Sequence, residues 1–158
     1  MNNPAPLNIA ITVVVLALLL ARQLTARPLR DKPTIGVILV VFGLVESARF
    51  FTDHHPNVGD VALMVLSLAI GSALAAVRAL FTIRIWSQNG RPMRQGNALT
   101  AVLWLVSLGQ HLLTDQFVMA GAGTATILCY FGVVLIVQRA VLLTRARRTG
   151  LRHADVTT

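Results

Sequence analysis

The sequence predicts an all-α, polytopic membrane protein: a bundle of five transmembrane helices with the N-terminus outside and the C-terminus inside the cell. Two observations predict this fold class. Apolar residues make up 55% of the 158 residues and charged residues only 13%, whereas a soluble domain carries about 25% charged residues. The apolar residues also form long blocks, each close to the roughly 20 residues that a helix needs to cross a bilayer core.

The apolar blocks give the predicted spans in chain order. We place them at about 7–24, 33–52, 58–80, 98–118 and 124–143. Residues 1–143 then form the transmembrane domain, and residues 144–158 form a basic cytoplasmic tail. Basic residues follow the first block instead of preceding it, which is the reverse of a signal peptide, so this block is predicted to be a retained helix.

Two local patterns add detail to the third span and the connection after it. Ser67, Gly71 and Ala75 recur every four positions, and such small residues let a neighbouring helix approach closely. We therefore expect the third span to be central in the bundle. Beyond it, Asn89-Gly90 followed by Arg91-Pro92 predicts a turn.

The basic residues predict the orientation. Thirteen of the fourteen fall on one side of the predicted membrane: Arg22, Arg27, Arg30, Lys32, Arg78, Arg84, Arg91, Arg94, Arg139, Arg145, Arg147, Arg148 and Arg152. Because Lys and Arg concentrate in cytoplasmic loops, that side is cytoplasmic, and only Arg49 lies apart. This distribution is typical of topology and not of a surface that binds nucleic acid, so we expect no nucleic-acid partner. The dominance of arginine over lysine indicates a GC-rich bacterial genome and hence the bacterial inner (plasma) membrane.

Acidic and histidine residues gather at the predicted outer ends of the helices. Four of the six acids and three of the four histidines lie there: Glu46, Asp53, His54, His55, Asp60, His111 and Asp115. A charge at the centre of a helical span costs about 2.5–3.5 kcal/mol on insertion scales, so intramembrane acids are functional candidates. Glu46 lies deepest, roughly 10 Å below the outer end of its helix at about 1.5 Å per residue.

Helical periodicity places most of the cluster on two faces. One face of the second span carries Phe42, Glu46, Arg49, Phe50 and Asp53. One face of the fourth span carries Trp104, Ser107, His111 and Asp115. If these two faces meet, they form a cup with an aromatic floor and an acidic mouth.

Each part of the cup also has a purely structural interpretation. Glu46 and Arg49 then form an ion pair that fixes helix packing, and Asp53 belongs to an ordinary solvated loop. Trp104 and Phe50 are then core or interface residues. The occurrence of all of them at one end of the bundle is what favours a functional site.

Such a cup suits protonation-initiated cyclisation of a prenyl chain. A carboxylic acid protonates an alkene or epoxide, aromatic faces stabilise the carbocations, and exclusion of water prevents their quenching. The predicted catalytic acids are Asp53, Glu46 and Asp115. The predicted substrate-binding residues are Phe42, Arg49, Phe50, Trp104, Ser107 and His111. We expect neither a metal nor another cofactor to take part.

Two other functions stay open at this point. The outer Asp and His residues supply ligands of the kind that bind zinc, although no motif such as HExxH is present. A small transporter or assembly factor, in which Glu46 and Arg49 carry coupling or packing, also fits five helices with one acid-rich pocket. The sequence leaves the oligomeric state open.

Two families share features with this chain. Arg27-Pro28-Leu29-Arg30 after the first span, and the Asn89-Gly90 turn before a Trp-containing helix, resemble small CcdC-like bacterial membrane proteins, which are associated with cytochrome c biogenesis. In size, hydropathy and outer acids the chain is also similar to small bacterial membrane-bound terpene cyclases of the drimentine type, which cyclise farnesylated indole diketopiperazines. The second resemblance implies a class II-type terpene cyclase, with a hydrophobic prenylated small molecule and membrane lipids as partners.

Overall fold

The computed structural model describes residues 14, 17, 18, 20–29 and 33–151. Its four complete helices are α1 (Thr34–Asp53), α2 (Val58–Val77), α3 (Ala98–Asp115) and α4 (Ala122–Arg148). A five-residue π-helical turn, Arg78–Thr82, extends α2. Its three strands are β1 (Arg27–Pro28), β2 (Ile83–Gln88) and β3 (Arg91–Gly96). The four helices coincide, within a few residues, with the second to fifth apolar blocks.

The two ends of the chain are only partly described. Most of the predicted first span, 7–24, lies outside the described residues, but residues 14, 17, 18 and 20–24 are helical. Arg30 and Lys32, and the tail from residue 152, lie outside them as well. Helix α4 includes the first five residues of the predicted tail, 144–148. Arginines fill its last turn, where positive charge is favourable at the negative end of the helix dipole.

The helices of the described part are those of a membrane protein. Three are long and apolar enough to cross a bilayer: Thr34–Asp53, Val58–Thr82 and Ala122–Arg148. The 20 residues of α1 extend about 30 Å, which matches the thickness of the hydrocarbon core. Helix α3 is not among the three, because Gln110, His111 and Asp115 lower the hydropathy of its C-terminal half.

The prediction of an all-α fold is wrong in one region. Strands β2 and β3 pair antiparallel from Ile83 opposite Gly96 to Gln88 opposite Arg91, and β1 adds to the free edge of β3. Asn89 and Gly90 both adopt positive φ, at 51° and 71°. This backbone suits a tight two-residue hairpin loop, for which Asn-Gly is the preferred sequence. The predicted turn is therefore present, but the residues that flank it form strands.

Glycines let α1 and α4 pack backbone to backbone in antiparallel directions. A Cβ atom on Gly43 would overlap the backbone of Cys129, and one on Gly132 would lie 2.6 Å from the backbone nitrogen of Val40. Further along, Ser47 Oγ donates to the carbonyl of Ala125 at 3.3 Å. Such close approach through small residues is the usual way for helices to associate in membranes.

Helix α4, not α2, is the centre of the bundle. The small residues Ser67, Gly71 and Ala75 are buried, as expected, and Gly71 contacts the ring of Tyr130 on α4. However, α4 contacts α1, α2 and α3, whereas α1 and α3 share no extended interface in the described part of the chain.

The bundle has two chemically distinct ends. The acidic end comprises residues 53–60 and 115–121. The basic end comprises the sheet, residues 20–29 and residues 139–151. A cluster of Leu29, Ala79, Ile83, Leu142 and Ala146 attaches the sheet to the helices there. The Arg145 guanidinium adds hydrogen bonds to the carbonyls of Ala79 and Ile83.

Candidate functional site

The α1 residues of the predicted cup lie on the surface of the bundle. Glu46 Oε1 lies 3.9 Å from Arg49 Nη1, and the Glu46 and Arg49 side chains are 56% and 76% exposed. Phe42 is 62% exposed, and Asp53 is exposed as well. Phe50 is half-buried and contacts Gly121 at the start of α4. This face of α1 is therefore not the face that packs against the other helices.

The α3 residues of the cup are mostly buried. Trp104, Ser107 and His111 have exposures of 0%, 0% and 5%, and Asp115 is half-buried. They meet α2 and α4, but the structure does not bring Glu46 to them. The reason lies in α4, where Gly132 meets α1 and Tyr130 meets α3. Because Gly132 and Tyr130 are two residues apart on a helix, they point in nearly opposite directions.

His111 takes part in a buried hydrogen-bond network between three helices. Its Nε2 lies 3.2 Å from the carbonyl oxygen of Gly123, and its Nδ1 lies 3.1 Å from Ser67 Oγ. Because a carbonyl oxygen can only accept, Nε2 carries the proton, and Nδ1 of the neutral ring accepts from Ser67. The imidazole also stacks on Tyr130 with the ring centroids 4.2 Å apart.

Gln110 and Tyr130 complete this network. Gln110 Nε2 donates to the Tyr130 hydroxyl at 2.9 Å, and that hydroxyl donates to the carbonyl of Ser107 at 2.6 Å. Sequence analysis missed both residues as network members. The signal that could have identified them is that Gln110 and Tyr130 are polar side chains inside apolar blocks. Since these groups bond to one another, the network joins α2, α3 and α4.

The two partly or fully buried acids bind backbone amides. Asp60 forms a capping box with Asn57 at the start of α2 and accepts a hydrogen bond from Met119 N at 3.2 Å. Asp115 Oδ1 accepts from Gly123 N at 2.6 Å. Both carboxylates therefore fix the loop between α3 and α4, and Asp115 also lies at the positive end of the α4 dipole. No group of three or more His, Cys, Asp or Glu residues in the described part is placed to hold a metal ion.

A buried cation lies against one of the predicted aromatic walls. The Arg78 guanidinium is fully buried and lies 4.3 Å from the centroid of the Trp104 ring. It donates to the carbonyl of Leu103 at 3.3 Å. The sequence places Arg78 among the cytoplasmic basic residues, at the end of the third span. Its position inside the third apolar block was the signal that it is buried. A face of Trp104 that was expected to stabilise a carbocation thus already contacts a fixed positive charge.

The basic end contains a pocket of about 170 Å³ that sequence analysis did not predict. Its described lining residues are Arg22, Gln23, Arg27, Pro28, Leu29, Pro33, Ile35, Gly36, Arg94, Leu135, Ile136, Gln138 and Arg139. Four arginines line it, two from residues 20–29, one from β3 and one from α4, and no acid is among these residues. The described lining of the pocket is therefore strongly positive.

The four positive charges act on one another. Burial lowers the pKa of the Arg94 guanidinium, and the charges of Arg139, Arg27 and Arg22 lower it further. Arg139 is also engaged by another group of the protein. Arg22 and Arg27 are exposed, whereas Arg94 and Arg139 are half-buried.

A buried amide forms part of the pocket wall. Gln138, with an exposure of 1%, donates through Nε2 to Gln23 Oε1 at 3.1 Å. This contact joins α4 to the helical residues that precede β1. The other polar atom of Gln138, Oε1, is buried without a hydrogen-bond partner among the described residues.

No known protein family, no curated protein and no solved structure matches this chain. The resemblances to CcdC-like proteins and to terpene cyclases therefore stay predictions.

Proposed function

We propose that this chain is a five-span protein of the bacterial plasma membrane, N-terminus outside, that binds a phosphate-bearing anion through the arginine pocket at its cytoplasmic end. The observation that carries the proposal is the convergence of Arg22, Arg27, Arg94 and Arg139 on one pocket without an acid among its described lining residues. The topology and the anion specificity have separate support and separate tests.

Support for the topology comes from the separation of charge along the bundle. The described basic residues on connections and helix ends lie at the basic end, which the positive-inside rule makes cytoplasmic. Helix α3 can serve as a span although its hydropathy is low, because Gln110 and His111 direct their polar atoms to α2 and α4. The first span is supported by helical residues 20–24, which hold Gln23 against Gln138.

Support for an anion comes from electrostatics and from the chemistry of arginine. Like charges that converge in a partly buried pocket repel one another, and a bound anion removes this repulsion. The guanidinium offers several N–H donors in a planar fork that matches phosphate and carboxylate oxygens. A water needs only about 10–15 Å³ of cavity, so a pocket of about 170 Å³ has room for a polyatomic ion.

Anion binding is tested with the full chain in a non-ionic detergent. Titration calorimetry with inorganic phosphate and pyrophosphate should show binding that weakens as salt is added, because the interaction is electrostatic. Arg94→Gln should weaken it by about tenfold or more, the usual effect of a lost charge-assisted hydrogen bond. Arg91→Gln is the matched control, since Arg91 is an exposed arginine of the same strand that does not line the pocket. Equal losses in the two variants would contradict the proposal.

Topology is tested by cysteine labelling in a Cys129→Ser background. A membrane-impermeant maleimide should label His55→Cys in intact cells and Ser87→Cys only after permeabilisation, because these exposed residues lie at opposite ends of the bundle. The reverse pattern would overturn the orientation. Labelling of both sites in intact cells would overturn the multi-pass arrangement.

A further inference from the structure

The pocket at the basic end has two chemically different halves. Its polar half consists of Arg22, Gln23, Arg27, Arg94, Gln138 and Arg139. Its apolar half is formed mainly by Leu29, Pro33, Ile35, Gly36, Leu135 and Ile136. A small soluble anion would contact only the polar half. A ligand with a charged head and a hydrocarbon chain would contact both.

The apolar half continues onto the exposed surface of α1. Ile35 lines the pocket and is 54% exposed, and its neighbours Val37 and Ile38 are 46% and 48% exposed. Helix α1 is long and apolar enough to cross a membrane. Its exposed apolar residues therefore border hydrocarbon when the protein is in a bilayer.

The polar half lies where the headgroups of a bilayer would be. Arg27 and Arg94 face each other in the sheet, just outside the first turn of α1, which begins at Thr34. A lipid phosphate at this level would have its chain beside the apolar start of α1. A zwitterionic headgroup is a poorer fit, because its ammonium group would be repelled by the arginines.

We propose that the anion held by the arginine pocket is the phosphate headgroup of a membrane lipid whose hydrocarbon chain lies along the apolar half of the same pocket. This inference rests on the proposed function and names the ligand class of that site. It differs from general attraction to an anionic leaflet, because it requires Arg94 and Ile35 and not merely net charge.

The test compares three soluble ligands on the full chain in a non-ionic detergent. Dioctanoyl phosphatidic acid should bind at least about tenfold more tightly than inorganic phosphate, since burial of only two methylene groups accounts for such a gain. Dioctanoyl phosphatidylcholine should bind more weakly than the phosphatidic acid. Arg94→Gln should weaken both phosphate and phosphatidic acid.

A variant pair on α1 tests the hydrocarbon half separately. Ile35→Ser should weaken phosphatidic acid about threefold or more and leave the affinity for phosphate unchanged. Ile38→Ser, one turn nearer the middle of α1, is similarly exposed, does not line the pocket and should change neither affinity.

The outcomes separate the two proposals. Equal affinities for phosphate and phosphatidic acid would overturn the lipid ligand and leave the anion site intact. Equal losses in Ile35→Ser and Ile38→Ser, or tight binding of phosphatidylcholine, would also overturn the lipid ligand. If neither phosphate nor phosphatidic acid binds, both the lipid ligand and the anion site fail.

Discussion

The charged side chains at the two ends of the bundle have opposite kinds of surroundings. At the acidic end, Asp60 and Asp115 each accept hydrogen bonds from backbone amides and thereby fix the connection between α3 and α4. At the basic end, four arginines converge on a pocket, and no acid is among its described lining residues. Charges that are satisfied within the fold serve its stability. Like charges that converge on one pocket are the basis for proposing a ligand there.

The contrast between the two ends of the bundle would be overturned most clearly if the acidic end proved catalytic. The cyclase hypothesis expects Glu46→Gln, Asp53→Asn or Asp115→Asn to reduce turnover by about 10²-fold or more, the usual contribution of a general acid. The assay follows conversion of a linear farnesylated indole to a product of identical mass, in detergent membranes without metal, ATP or redox cofactor. Asp155→Asn is the matched control, because this acid belongs to the predicted cytoplasmic tail and not to the predicted cup. If all three variants retain turnover, acid catalysis by these residues fails.

The free energy of unfolding should distinguish the two ends next. Asp115→Ala leaves Gly123 N–H without its acceptor and should cost about 1–3 kcal/mol. Arg94→Gln should be neutral or slightly stabilising in the ligand-free protein, because it removes like-charge repulsion. Denaturation in detergent measures both, with the exposed Asp53→Ala as a near-neutral reference. A loss in Arg94→Gln equal to that in Asp115→Ala would make Arg94 a structural residue.

The buried network should show smaller effects. Ser67→Ala removes the donor to His111 Nδ1, and interhelical hydrogen bonds in membrane proteins contribute about 0.6 kcal/mol on average. We therefore expect a loss of roughly 0.5–1.5 kcal/mol in the same denaturation measurement. Thr52→Ala is the control, because its exposed hydroxyl bonds only within its own helix. A loss of anion binding in Ser67→Ala would contradict the separation of the two ends.

The smallest expected effect is the pH dependence of binding. A phosphate monoester gains its second negative charge near a pKa of about 6, so its affinity for the arginine pocket should rise a few-fold from pH 5.5 to 7.5. A phosphodiester has no such step and should bind equally at both values. An affinity that falls across this range would contradict the monoester prediction.

The sequence predicted the helices better than it predicted their contacts. Apolar blocks located α1 to α4 because length and hydropathy determine a span locally. The hairpin was missed because Asn89-Gly90 specifies a turn, whereas strand pairing also depends on how the flanking residues meet. On α1 the polar and aromatic face was expected to point inward. Instead, the small residues Gly36 and Gly43 lie on the face of α1 that packs against the bundle, because their lack of a side chain lets the backbone of α4 approach.

The arginine pocket was beyond sequence reasoning for a related reason. The positive-inside rule placed its arginines on one side of the membrane but gave no distances within that side. Arg27 and Arg94 face each other only because β1 pairs with β3. Arg22 is brought close by contacts of its neighbours, among them the hydrogen bond between Gln23 and Gln138. Each of these contacts joins segments that are far apart in the chain.

The central place of α4 has a consequence for biogenesis. The ribosome makes α4 after α1, α2 and α3, yet it is the helix that contacts all three of them. The earlier helices must therefore remain in the bilayer, with Gly43 and Gly71 still without their α4 contacts, until the last helix is inserted. Helix insertion and bundle closure are thus separate events.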